Sequence, residues 1–535
     1  MELRADVIVV GFGAAGACAA IEAADAGADV LVLDRFAGGG ATAVSGGVVY
    51  AGGGTAEQRA CGIGDTPEAM LAYLRMEVGD VVADATLRRF CEGSAGMLDW
   101  LRGHGVPFEA SLCPEKTSYP GNRHYLYYSG SEASGGFRDA APPAPRGHRA
   151  HGRGTSGKVL FAALAAAVRA RARVMPATRL TGLLTGPDGA VTGVVASTLA
   201  GAPAPVRAAH RYYARYAAKP GLYVPALRKT LRRRVESLER RYGKRIEITA
   251  RRGVVLATGG FVADRELMRQ HAPAYRGGLP LGTIADDGTA IRMGAQVGAA
   301  TGELGRVSAW RFLTPPAAFL GGVLVDADGR RIIDESRYGA AIGEAMVTRH
   351  GGRGWLLVDS ATLARARHHE RGHTQWFQRL QAGYLLRGRA TGATLAEVAT
   401  KAGVDPDGLG ATVAAHNAAA AAGEPDPAGK PAEFVRALEN PPYALIDLSI
   451  KPSIGYPCPM LTLGGLAVDE DTGQVRAAGG GLVPGLYAAG RAAVGICSRS
   501  YVSGLSLADC VFSGRRAGEN SALALGELDK NENVF

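Results

Sequence analysis

Disulfides, metal-ligand spacings and long apolar runs are what this chain lacks. Its 535 residues include seven cysteines, an odd number, and no two of them form a CxxC pair. A disulfide framework is therefore excluded as the organising device, and a reducing compartment is expected. No metal-binding pattern is present, so no metal is expected. No apolar run is long enough to span a bilayer. The opening Met1-Glu2-Leu3-Arg4-Ala5-Asp6 lacks a basic stretch followed by an apolar one, so no secretory signal is read there. Together these absences predict a cytoplasmic protein. Acidic surplus is also missing: the net charge is +10. That charge is local, because fifteen Lys and Arg face only Glu236, Glu239 and Glu247 between Arg207 and Arg252. The rest of the chain is slightly acidic. No nucleic-acid-reading fold accompanies the basic segment, and nucleic acid is not an expected partner.

What is present begins at Val7-Ile8-Val9-Val10, a β-branched run suited to a buried parallel strand. Gly11-Phe12-Gly13-Ala14-Ala15-Gly16 follows, then a small-residue helix over Ala17–Ala26 stopped by Gly27. Val30-Leu31-Val32-Leu33 forms the second strand, ending in Asp34. A GxGxxG carries weight only between a strand and a helix, and here it has that context. Gly11 permits the turn, Gly13 admits a pyrophosphate, and Gly16 lets helix and strand approach. The helix N-terminus offers unpaired N–H groups to the anion, and Asp34 is placed to accept from a ribose. A glycine-rich stretch, Gly38 to Gly47, reads as backbone wrapped round a ligand or as a flexible loop.

Further along, helical periodicity runs from Glu68 to Leu101 and from Lys158 to Ala170. Arg173 to Val195 reads as strand, turn, strand, and Gly253 to Phe261 as a buried strand with a glycine turn. The patterning becomes mixed from about Gly294 to Asn440, with a strand at Gly322–Val325 and helices at Leu395–Ala402 and Gly408–Ala422. The last stretch returns to strand–turn–helix grammar, closing with a helix over Leu505–Ala524. The expected architecture is α/β: a Rossmann-like domain made of 1–293 and 441–535, interrupted by an α+β insert at 294–440 that caps the substrate. The basic segment 207–252 is an excursion from the first part. Its two open readings are a solvated helical excursion and a peripheral contact with a membrane surface.

Three separated motifs carry a resemblance. Val483-Pro484-Gly485-Leu486-Tyr487-Ala488-Ala489-Gly490 resembles the second FAD fingerprint of two-dinucleotide-binding-domain flavoproteins, and Val254 to Gly260 resembles their ATGG motif. With the N-terminal motif, these are similar to the flavoprotein family of fumarate reductases, succinate dehydrogenases and 3-ketosteroid dehydrogenases. Asp286-Asp287-Gly288-Thr289-Ala290 looks like the family's aspartate–glycine FAD contact, Gly321 to Glu335 like its inserted capping domain, and Thr462-Leu463-Gly464-Gly465-Leu466 like its TxGGL turn. The resemblance implies non-covalent FAD. The implied cofactor contacts are Gly11, Gly13, Ala14, Ala15, Gly16, Asp34, Arg35, Gly40, Ala41, Thr42, Ser45, Gly46, Gly47, Thr258, Gly259, Gly260, Asp287, Gly490, Arg491, Leu505, Ser506 and Leu507.

The branches differ by chemistry. No HPT-like or RGE motif precedes the Gly322 strand, where the chain reads Val307-Ser308-Ala309-Trp310-Arg311-Phe312, and the family's AAGE becomes Ala488-Ala489-Gly490-Arg491. Both departures argue against a dicarboxylate. Ser498 to Asp509, Gly40 to Gly47 and the Pro142–Arg149 loop instead resemble the 3-ketosteroid Δ4-(5α)-dehydrogenase branch. Desaturation beside a ketone needs a base for the α-proton, donors for the enolate oxygen and a hydride acceptor. Tyr501 and Ser503 stand at i, i+2, so an extended segment turns both to one side. The resemblance implies that they form a proton relay with a second tyrosine, for which Tyr338 is the candidate. The implied substrate is a steroid-like or polycyclic ketone, and the electron acceptor is undetermined. Other readings are a flavin-dependent desaturase or ene-reductase for another enone in secondary metabolism, and a non-catalytic flavin- or lipid-binding protein. The lone His104, His124, His148 and His271 read as structural.

Overall fold

The computed structural model of the chain describes residues 3–523, with backbone alone for 368–373. The ends 1–2 and 524–535, including the expected helix end at Ala524, lie outside the described residues. Leu3–Val10 sits inside a sheet that has eight strands among those residues. Val30–Leu33 and then Arg173–Met175 extend it on one side, all parallel. Lys244–Leu256 and Leu482–Ala488 lie parallel on the other. Strands covered on both faces need uninterrupted apolar side chains, and Val7–Val10, Val30–Leu33 and Val254–Leu256 are all buried.

The helix between the first two strands spans Ala14–Asp25, starting three residues before the expected Ala17. It packs on the closing helix Leu505–Leu523. A Cβ on Gly514 would stand 2.5 Å from Ala15 O, and one on Gly518 2.2 Å from Ala19 O. That close approach is how the last described segment completes the first domain. The periodicity over Glu68–Leu101 resolves into Pro67–Val78, Asp84–Glu92 and Ser94–Gly103, the first break falling at Gly79, whose φ is +59°.

One expectation about the basic segment is corrected. Its end, Lys244–Arg252, is the first part of the sheet strand Lys244–Leu256 rather than part of an excursion. The remainder folds as a helical hairpin, Ala204–Ala218 and Pro225–Tyr242, with an apolar seam. Ala214, Ala217, Leu231 and Val235 pack with Ile284 and Phe36, so the hairpin is seated on the dinucleotide half.

The insert holds a four-stranded antiparallel sheet, Val323–Val325, Trp355–Val358, Tyr443–Asp447 and Ala390–Gly392 in that order. Alternation along its strands serves two cores. Leu324, Leu356 and Ile446 pack under Gly339–His350 and Ser360–His373, while Val323, Leu357 and Leu445 pack under Leu395–Ala402 and Pro406–Ala422. The insert therefore continues past the expected end at Asn440, because Asp447 is in register with Trp355. A short apolar strand reads alike in either domain; its partner decides where it belongs. Ser360–His373 and a further helix, Trp376–Arg387, are elements that the patterning did not foretell.

Candidate active site

A cavity of about 1550 Å³ lies where the carboxyl ends of the parallel strands meet the insert. Pockets for one small ligand hold roughly 300–1,000 Å³, so this one has room for a cofactor and a guest together. Of the expected cofactor residues, Gly11, Gly13, Ala14, Ala15, Asp34, Arg35, Gly40, Ala41, Thr42, Ser45, Gly46, Gly47, Thr258, Gly259, Asp287, Arg491, Ser506 and Leu507 line it. Gly16, Gly260, Gly490 and Leu505 do not reach its wall and stand behind it. A Cβ at Gly16 would be 1.8 Å from Gly11 O, and one at Gly260 2.2 Å from Thr462 Oγ1. At Gly490 it would meet Ala15 Cβ at 2.8 Å. These glycines shape the cradle by what they leave out.

The cradle's polar groups are partly tied to each other. Thr42 Oγ1 accepts from Ala14 N at 3.0 Å. Asp34 Oδ2 accepts from Phe12 N at 2.9 Å, and Oδ1 from Phe36 N and Gly38 N at 2.7 and 3.1 Å. A carboxylate oxygen has two lone pairs, so Oδ2 keeps one for a ribose hydroxyl. Arg35 is held by Glu239 of the hairpin, 2.9 Å through Nε and 2.9 Å through Nη2, and by Asp287 at 3.1 Å. Arg491 donates to Asp286 Oδ1 at 2.7 Å. Its Nη1 and Thr258 Oγ1 are buried without a protein partner. Buried polar atoms in that condition call for a ligand or water, and both residues border the cavity. The donor set fits a dinucleotide.

The opposite wall is aromatic. Trp310 stacks on Tyr501 with ring centroids 5.1 Å apart; Tyr338 lies 6.2 Å from Tyr501 and 5.6 Å from Phe312. Arg311, between the two cavity-lining rings, turns away. Its guanidinium lies 4.4 Å over the Tyr456 ring, and it donates to Ser449 O at 3.3 Å. The segment that would have to hold a dicarboxylate thus presents Trp310 and Phe312 to the cavity instead of a guanidinium.

Tyr501, Ser503 and Tyr338 all line the cavity, drawn together from the C-terminal segment and the insert. Ser503 sits just before the helix whose first turn contributes Ser506 and Leu507. Ser503 Oγ is 2.9 Å from the hydroxyl of Tyr127, which is fully buried. Tyr127 comes from Leu126–Tyr127, a strand paired with Gly147–Arg149, and no motif marked it. Burial is the main reason all three phenols resist ionisation. It holds Tyr501 well above the ordinary phenol value, with Arg491 only partly offsetting, and it does the same for Tyr127 and Tyr338, both eased by Ser503. A free phenolate is therefore not the resting form of any of the three near neutral pH.

Other expected features have supporting places. In the Pro142–Arg149 loop, Arg146 is bidentate to buried Asp65 at 3.0 and 2.7 Å. His148 lies 2.9 Å from Thr55 Oγ1, and burial pushes its pKa down to about 4. In the TxGGL turn, Thr462 Oγ1 accepts from Phe261 N at 3.0 Å. Among the described residues no cluster of three or more His, Cys, Asp or Glu could hold a metal, and no helix is long and apolar enough to cross a membrane.

Comparison with known proteins supplies the family. The family described as "FAD binding domain" matches residues 6–504. A 3-oxo-5-alpha-steroid 4-dehydrogenase of Comamonas testosteroni is 38% identical over 499 residues, covering 91% of this chain and 92% of that protein. The chain belongs to this FAD-binding family. As a flavoprotein it takes FAD as its cofactor, and the cradle described above fits that group. Among solved structures, a 3-ketosteroid Δ4-(5α)-dehydrogenase from Rhodococcus jostii RHA1, in complex with 4-androstene-3,17-dione, superposes with a TM-score of 0.80 at 32% identity, covering 97% of each chain. The open conformation of a flavocytochrome c3 fumarate reductase shares the flavoprotein fold, with a TM-score of 0.62 at 23% identity over 97% of this chain and 78% of that one.

Proposed function

We propose that this flavoprotein dehydrogenates 3-keto-5α-steroids, introducing the C4–C5 double bond. The observation that carries the reading is the meeting of Tyr501, Ser503 and Tyr338 on an aromatic wall opposite the cofactor cradle. A flat polycyclic guest is recognised by ring faces such as Trp310 and Phe312, which offer contact area with little entropy to lose. Its C3 carbonyl acidifies the C4 proton. Tyr501 takes that proton as it gives up its own phenolic proton along the hydroxyls of Ser503 and Tyr338, supported by Tyr127, to water, so that no lone phenolate has to form in the buried site. Helix Leu505–Leu523 points its first turn at the cavity, so its N–H groups and dipole favour negative charge there. FAD, held by the cradle of Gly11, Gly13, Thr42, Thr258 and Arg491, would supply the two-electron oxidant that loss of the C5 hydrogen with its electron pair requires, with an external acceptor needed to restore it.

Peripheral membrane contact through 207–252 extends this reading. Its support is the outward placement of Tyr212 and Tyr216 on the hairpin's first helix. The test of the function is turnover of a 5α-3-ketosteroid with an artificial electron acceptor, alongside anaerobic bleaching of the flavin by the same steroid. Product carrying the C4–C5 double bond is expected. Intact yellow enzyme that neither bleaches nor turns over would remove the steroid reading.

A further inference from the structure

Among the described residues, the three most exposed large apolar side chains meet at one place, together with a fourth. Trp376, Leu380 and Tyr384 are 64%, 65% and 53% exposed, and Ile454 is 74% exposed. The first three recur every four residues along Trp376–Arg387, which puts them on one helix face. The Ile454–Gly455 turn lies against that face, since a Cβ on Gly455 would stand 2.4 Å from the Tyr384 ring. All four residues also border the cavity, so they form its lip rather than a remote patch. A contiguous exposed apolar surface marks an interaction site.

The facing part of the lip is of another character. Arg211, Arg215 and Tyr223 of the helical hairpin line the same cavity and are exposed. The hairpin from Ala204 to Tyr242 carries eleven basic residues against two acidic ones, Glu236 and Glu239. The rings of Tyr212 and Tyr216 touch at a tilt, with centroids 4.5 Å apart, beside the two arginines. The mouth is therefore apolar and Trp-tipped on one flank, and basic and Tyr-rich on the other.

We infer that this mouth docks on an anionic lipid surface, with Trp376, Leu380, Tyr384 and Ile454 inserted among the acyl chains and the hairpin's arginines on the headgroups. Amphipathic elements bind bilayers in this way, by shallow burial of one face plus attraction to anionic lipid, and Trp and Tyr favour the interfacial depth. Charge complementarity selects the surface. The position of the apolar residues selects a fluid one, because an occupant that sealed the lip would also close the cavity. The inference rests on the proposed substrate class only for its benefit: a sterol-like ketone dissolved in the bilayer would enter without crossing water. It goes beyond the basic segment alone, since the inserting residues belong to a helix of the insert.

The experiment is sedimentation of the FAD-loaded full chain with phosphatidylcholine vesicles, with and without one quarter phosphatidylglycerol, at low and at 0.15 M salt. Binding to the anionic vesicles is expected, weakening with salt. Combining Trp376→Ser, Leu380→Ser and Tyr384→Ser should lower partitioning roughly tenfold or more, while flavin content and melting temperature confirm a folded holoenzyme. Quenching of tryptophan fluorescence by brominated acyl chains, lost in Trp376→Phe, would place that side chain in the bilayer. No binding to anionic vesicles at low salt, or equal binding by wild type and the triple variant, overturns the inference. Vesicle binding by a protein that turns over no 3-ketosteroid would uphold the docking and remove the substrate reading alone.

Discussion

On the cofactor side of the cavity the wall is backbone and small residues drawn from short runs of sequence; on the substrate side it is aromatic rings contributed by distant segments. Gly11, Gly13, Thr42 and Gly46 lie within the first fifty residues. Trp310, Tyr338, Tyr456 and Tyr501 are spread over nearly two hundred, across the insert and the return to the first domain. The first wall recognises a group common to many enzymes by leaving space and pointing N–H groups. In the proposed reaction the second would recognise a particular guest by shape and place hydroxyls over it. Damage to the first should therefore abolish cofactor binding altogether, whereas damage to the second should alter chemistry in a still-yellow protein.

The largest effect is expected at Gly16. A Cβ there would stand 1.8 Å from the carbonyl oxygen of Gly11 and 3.3 Å from Val9 Cγ1. Neither atom belongs to a flexible side-chain tip, so helix and strand must separate. Gly16→Val should yield protein without FAD, seen as loss of the visible flavin absorbance on purification. Retained flavin would mean that the cradle tolerates widening and that the comparison above is drawn too sharply.

Next in size is Tyr501→Phe. The ring stacking on Trp310 survives while the hydroxyl goes. Turnover should fall by about 10²–10⁴, the range for losing a general acid or base, with FAD content unchanged. The alkaline limb gives a second measurement. Burial raises the phenol's pKa, so its basic form grows only as pH rises, and kcat/KM of the wild type should climb through the alkaline range without a plateau near neutrality. A non-catalytic flavin holder would lose nothing in this variant.

Tyr127→Phe sharpens the comparison from behind the wall. Tyr127 does not border the cavity; it holds Ser503 at 2.9 Å. Removing its hydroxyl frees Ser503 to turn and cuts the hydroxyl chain, so a decrease of roughly tenfold in kcat is expected, with KM little changed. A larger rise in KM than fall in kcat would make Tyr127 a packing residue only.

The legibility of the two walls followed the same division. The βαβ unit could be read because its function needs glycine at fixed spacing between a strand and a helix, and every element of that signal is local. The ATGG and Gly485–Gly490 runs were similarly local, and they lie at the carboxyl ends of Lys244–Leu256 and Leu482–Ala488, neighbouring strands on one side of the first. Tyr501 and Ser503 are singled out by the family resemblance, with their spacing turning both to one side, and both line the cavity. Tyr127 could not, because a tyrosine in a loop-rich stretch becomes significant only when Gly147 pairs beside it and Ser503 arrives from the far end. The limit of the insert failed for the same reason. Tyr443–Asp447 looks like any short strand until Trp355–Val358 claims it. The basic segment reads as helical from its spacing and is so, but the seat of its apolar face is not legible, because Leu231 and Val235, one turn apart, gain their meaning only when Ile284 and Phe36 meet them.

The smallest effect tests that seat. Glu239 reaches from the hairpin to Arg35 at the edge of the cofactor cleft and lies 3.1 Å from His210 Nε2. Burial alone would raise its pKa, but hydrogen bonds from His210 and Arg35, with the charges of Arg35 and Arg179, outweigh burial and bring it down to about 2. A carboxylate held below its unfolded value of ~4.3 contributes stability above that pH and loses it as pH falls toward the folded value. Docking of the hairpin should accordingly weaken between about pH 4.3 and pH 2. FAD release, followed by the rise in flavin fluorescence on stepping the pH down, should show this limb in the wild type. Glu239→Gln should flatten it and lower the melting temperature by about 2–4 °C at neutral pH. If the variant kept the same acid limb, the hairpin would be held by its apolar seam alone, and Arg35 would be positioned by Asp287 without help from the basic segment.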